Sequence, residues 1–156
     1  MRTSAVLGAA LLAAGVAAAA EGDRGGTDLT GTWRILATIP KDAPVCGQAT
    51  DCVYPALATA TRDGTILQTA PISNTLTGHG SWKRTGPREF RAYTIYFRVD
   101  PATGAFVGTS ETTIEVTVAR GGRTADGSFT AVILDAAGTK LTDYAGTVVA
   151  DRVDVP

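Results

Sequence analysis

Residues 89–100 read EFRAYTIYFRVD. Arg91, Tyr93, Ile95, Phe97 and Val99 share one face of this stretch, while Thr94, Tyr96 and Arg98 share the other. Period-two alternation in a run rich in aromatic and β-branched residues marks a strand, because successive side chains leave a pleated backbone on opposite sides. If apolar faces turn inward, Tyr93, Ile95 and Phe97 point into a core.

The pattern repeats on both sides of this run. GTWRILATI (31–39), YPALATAT (54–61), TILQT (65–69) and GHGSWKR (78–84) precede it. VGTSETTIEVTVA (107–119), SFTAVILD (128–135) and KLTDYAGTVVADRV (140–153) follow. In residues 107–119, Ile114, Val116 and Val118 oppose Glu111, Thr113 and Glu115. Asp63-Gly64, Gly86-Pro87, Gly121-Gly122 and AAGT (136–139) supply turns between neighbours, with glycine giving the positive φ that tight hairpins need. Eight strands joined mostly by short turns form an antiparallel meander, and closure into an up-and-down barrel removes its two exposed edges. An open two-sheet sandwich fits the same strand spacing.

The first twenty residues, MRTSAVLGAALLAAGVAAAA, carry one charge (Arg2) and an alanine-rich apolar run that ends in small residues before Glu21. That is the layout of a cleaved secretory signal peptide, a helix by its composition, and its apolar run is short for a membrane span. The expected organisation is a signal peptide (1–20), a flexible glycine-rich leader (21–28) and one β-barrel domain (29–156). The mature protein is then secreted or periplasmic, with no membrane attachment after cleavage. Lys and Arg total 14 against 15 Asp and Glu in 156 residues, without a basic block, which argues against a nucleic-acid partner. Cys46 and Cys52 are the only cysteines. In an oxidising compartment they favour a structural disulfide over metal or redox chemistry, since neither four ligands nor the two-residue redox spacing is present.

Reaction chemistry is sparse. TGHGSWKRTG (77–86) holds the only histidine, His79, on the face opposite Trp82, and no partner acid or nucleophile elbow accompanies Ser81. Glu111 and Glu115 are two pleats apart, roughly 13 Å along a strand, more than paired carboxylates use in glycoside cleavage. The acids are scattered singly, so no metal site is expected, and no cofactor is implied. Ala56, Ala58, Ala60, Gly146 and Ala150 offer small walls opposite aromatics, which leaves a hollow interior and a filled one both open. If the barrel is hollow, Tyr54, Trp82, Arg91 and Tyr93 are the candidate ligand-binding residues at its mouth.

LTGTWRI (29–35) carries G-x-W, Gly31 and Trp33, and resembles the opening strand of calycins, the lipocalin-like barrels. The resemblance implies that Trp33 plugs the closed end beneath an arginine of the last strand, here Arg152, both as structural residues. LTDY (141–144) is similar to a lipocalin signature but lies in the last strand. L-x-G-T-W-R followed by G-H-G-x-W-x-R-T-G and the aromatic strand resembles a set of small exported bacterial calycin-like proteins, akin in fold to lipocalins and allene oxide cyclases. The expected function is the binding of a small apolar molecule inside an exported barrel. A cofactor-free cyclase or isomerase acting by shape is the first alternative. A structural or inhibitory module acting on a protein partner through loops 40–53 and 69–78 is the second.

Overall fold

A computed structural model describes residues 28–71, 75 and 77–154. The expected signal peptide, and all of the expected leader but Asp28, lie outside the described residues. Eight strands follow in order: β1 (Gly31–Ile39), β2 (Cys52–Ala60), β3 (Thr65–Thr69), β4 (Gly78–Arg84), β5 (Glu89–Val99), β6 (Phe106–Val118), β7 (Thr124–Asp135) and β8 (Lys140–Arg152). Each pairs with the next, and β8 returns to β1 from Trp33↔Arg152 to Thr38↔Thr147, closing an antiparallel barrel. That last ladder excludes the open sandwich and leaves no unpaired edge. Strand β7 begins four residues before its apolar run. Gly127 lets it continue there, since a Cβ at that position would sit 1.9 Å from the Glu115 carbonyl oxygen.

One end of the barrel is filled. Trp33, Ala58, Ala60, Phe90, Val118 and Ala125 are all buried there. The Arg152 guanidinium carbon lies 4.3 Å from the centre of the Trp33 ring. Its nitrogens donate to the carbonyls of Gly122 (2.7 Å), Asp28 (2.8 Å) and Thr30. The Trp33 indole N–H donates to the Leu29 carbonyl at 2.8 Å. Gly31 has φ +122°, and a Cβ there would come within 2.7 Å of Arg152 Nη1, so glycine is required both by the backbone and by the arginine.

The facing of β5 corrects the sequence expectation. Phe90, Ala92, Thr94 and Tyr96 are buried, whereas Arg91, Tyr93, Ile95 and Phe97 are exposed, Phe97 at 57%. Both faces of this strand carry aromatic rings, so its own alternation could not orient it. Its neighbours do. On β6, Ile114 faces inward beside Ala92, and the outward Glu115 and Glu111 meet Arg91 and Tyr93. On β4, Trp82 pairs with the small Ala92, and the Tyr96 ring covers Gly78, where a Cβ would be 2.6 Å from it.

Candidate functional site: a cavity at the open end

The opposite end of the barrel is hollow. A cavity of about 400 Å³ lies between the ends of β1, β3 and β5 and the starts of β2, β6 and β8. The interior is thus divided: the sequence that leaves hollow and filled readings open produces one of each, at opposite ends. A smaller space of about 40 Å³ lies beneath, beside Trp33, Ile35 and Ala92.

The apolar part of the wall comes from strand residues two apart. Ala37 and Ile39 on β1, Ala56 on β2, Ile114 on β6, Phe129 and Ile133 on β7, and Val148 on β8 all face in. The volume depends on small residues. Ala37 and Ala56 line it, and Gly146 seats the Phe129 ring, 2.6 Å from where a Cβ would stand. The loop after β1 reaches the mouth through Val45 and is fixed by the Cys46–Cys52 disulfide, whose Cα atoms are 5.6 Å apart. Ala43 N–H donates to Pro40 O and Cys46 N–H to Ala43 O, both at 3.0 Å, and Lys41 N–H donates to Asp51 Oδ1 at 2.9 Å. The loop after β3 contributes Ala70 and Thr75 at the same end.

Polar groups enter the wall from β2, β3, β5, β6 and β8. Gln68, Tyr96 and Ser110 are more than nine-tenths buried, and Tyr54, Tyr144, Thr112, Thr142 and Arg98 line the cavity with them. The Gln68 carboxamide oxygen has no hydrogen-bond partner among the described residues, an expense that buried amides rarely carry. Burial pushes the Tyr144 phenol above its ordinary range, and the nearby Tyr54 adds to this, while Ser110 and Arg98 beside it act in the opposite sense. Burial likewise drives the Tyr96 phenol far up. Both hydroxyls therefore stay protonated and able to donate. No three His, Cys, Asp or Glu side chains come together as metal ligands among the described residues.

Of the four residues expected to bind a ligand, Tyr54 lines the cavity and three do not. Trp82 packs at the filled end, edge-on to Phe90 with ring centres 5.7 Å apart, and its indole N–H donates to Thr61 O at 2.9 Å. Arg91 lies on the outer surface, its Nε 2.8 Å from Glu115 Oε1. Tyr93 is also outside and donates to Glu111 Oε2 at 2.6 Å; partial burial, and then the bond and charge of Glu111, raise its phenol to about 12. Arg91 and Tyr93 were misplaced by the inverted facing of β5, and Trp82 by being assigned to the wrong end. Tyr96, Arg98, Gln68 and Tyr144 were missed. For Tyr96 and Arg98 the signal was the outward face already visible on β6, which fixes β5 by pairing. His79 is exposed between Leu67 and Ile95 on the outer surface.

No protein-family model matches the chain, and no curated protein matches its sequence. The chemistry of the site is therefore read from its own atoms.

Proposed function

We propose that this is an exported binding protein that holds one small, largely apolar molecule in the open-end cavity. The observation that carries this reading is the contrast between the two ends of one barrel. Protein interiors pack as densely as organic crystals, and this sequence achieves such packing around Trp33, Phe90 and Val118. At the other end, small residues keep open about 400 Å³, within the size of small-molecule sites. A wall that mixes apolar side chains with polar groups is also what such sites use. Export is supported by the composition of residues 1–20 and by the Cys46–Cys52 disulfide, which persists in oxidising compartments.

Filling the cavity tests the reading. The fluorescent apolar probe N-phenyl-1-naphthylamine should bind the wild-type barrel at one site, and Ala56→Trp should abolish binding while the melting temperature stays close to wild type. Ala37→Trp, on the neighbouring strand, serves if the first variant does not fold. A folded, cavity-filled variant that binds the probe as wild type does would refute the site.

A second reading, a cofactor-free cyclase or isomerase, is favoured by one feature. Tyr144 lies within electrostatic reach of both Tyr54 and Arg98, and all three line the cavity; such donors could stabilise negative charge developing on a bound oxygen. Recovery of the bound molecule unchanged from the protein would count against it.

A further inference from the structure

Arg98 is the one charged side chain in the cavity wall among the described residues, and it is half-buried. No ion pair engages it among those residues. Carboxylates on the β5–β6 turn, on β6 and on β8 have partners of their own. Asp100 accepts from the N–H groups of Ala102 and Thr103 and from the Thr103 hydroxyl, Glu111 is taken by Tyr93, and Asp143 by Lys140. A guanidinium partly removed from water favours a planar oxyanion, which it can grip with two parallel N–H donors. Tyr144 lies within electrostatic reach of Arg98 and lines the same cavity, so one phenol stands beside it. A second polar point lies deeper. Tyr96 precedes Arg98 by two residues, roughly 7 Å along a strand, and its ring covers Gly78, the residue paired with Gln68. Gln68 is 8% exposed, and its carboxamide oxygen lacks a partner among the described residues.

Taking the cavity as the binding site, as argued above, we propose that its occupant is an amphiphilic oxyanion. A carboxylate, enolate or sulfonate oxygen sits at Arg98, a hydroxyl or N–H group meets Gln68, and an apolar body lies against Ile114, Phe129 and Val148. The ligand is thus an acid with one internal polar group rather than a plain hydrocarbon or sterol-like body.

Two probes that differ only by a sulfonate separate this claim from the binding reading itself: 8-anilinonaphthalene-1-sulfonate and N-phenyl-1-naphthylamine. The wild-type protein should bind the sulfonate roughly ten- to a hundredfold more tightly, the range of a hydrogen bond to a charged group. Arg98→Gln should erase that preference by weakening the sulfonate far more than the neutral probe, and Arg98→Lys should restore part of it. Gln68→Leu should weaken both probes, which each carry the N–H, and keep the preference. Equal affinities in the wild type, or a preference that survives Arg98→Gln, would overturn the oxyanion assignment while leaving the cavity reading intact. Unchanged affinities in Gln68→Leu would overturn the second polar point. Failure of both probes to bind the wild type would overturn this inference together with the reading beneath it.

Discussion

Replacing Arg152 with alanine should unlatch the filled end of the barrel. The side chain donates to three backbone carbonyls, on Asp28, Thr30 and Gly122, and lies over Trp33. Hydrogen bonds from charged donors contribute about 1.5–3 kcal/mol each when sheltered. Arg152 is partly exposed, so about 1 kcal/mol apiece is the better figure after solvent screening. The cation–π contact adds about 1 kcal/mol. The expected loss is therefore about 3–4 kcal/mol, which for a domain of this size lowers the melting temperature by roughly 10 °C. Arg152→Lys keeps the charge but loses the planar fork, and should recover only about 1 kcal/mol of that loss. Urea unfolding followed by tryptophan fluorescence reads both variants, with an unchanged slope showing that the unfolded states are comparable. A loss below about 0.5 kcal/mol for the alanine variant, the size of an ordinary surface substitution, would refute the latch.

Trp82→Phe removes the hydrogen bond to Thr61 and part of the contact with Phe90, and should cost about 1–2 kcal/mol in urea unfolding while leaving N-phenyl-1-naphthylamine affinity unchanged. Replacing both Cys46 and Cys52 with alanine opens a very short loop, for which the chain-entropy relation gives about 2 kcal/mol; thermal unfolding should show that loss, and probe affinity should fall as Val45 loses its anchored position. In alkaline solution, spectrophotometric titration should find Tyr93, Tyr96 and Tyr144 still protonated where an ordinary tyrosine is half ionised, near its usual value of 10. Because their folded values are raised, the stability they contribute is complete below pH 10 and is lost as the pH climbs towards the folded values; a stability that rises with pH in that range would contradict the burial of these phenols.

The architecture was largely legible in the sequence because turn chemistry and alternation acted together. Asp63-Gly64 and Gly121-Gly122 sit where the chain reverses, with Gly64 and Gly122 both at positive φ. The outward placement of Glu111 and Glu115 was equally legible, since one face of β6 was apolar and the other charged. Strand β5 was not, because Phe90 and Tyr96 alternate with Tyr93 and Phe97 and either face could have been the core. Hydrophobicity cannot choose between two aromatic faces; pairing can. Arg91 belongs with Glu115 across the ladder, and once that pair is outside, Tyr96 and Arg98 follow inward. Trp82 shows a different limit. Alternation gave its side of the sheet but not its height in the barrel, which is set by the register Trp82↔Ala92. The separation into a filled and a hollow end is likewise a property of register. Small residues on β1, β2 and β8 create space only where the strands opposite fail to bring large side chains to the same level.

The most direct test of the central claim is native mass spectrometry of the mature protein purified from its own source. The account predicts a reproducible extra mass, one per chain, that is released on denaturation, has the formula of an organic acid, and is absent from Ala56→Trp prepared in the same way. An extra mass retained unchanged by that cavity-filled variant, or a wild-type protein that is consistently bare and takes up neither naphthalene probe, would contradict it.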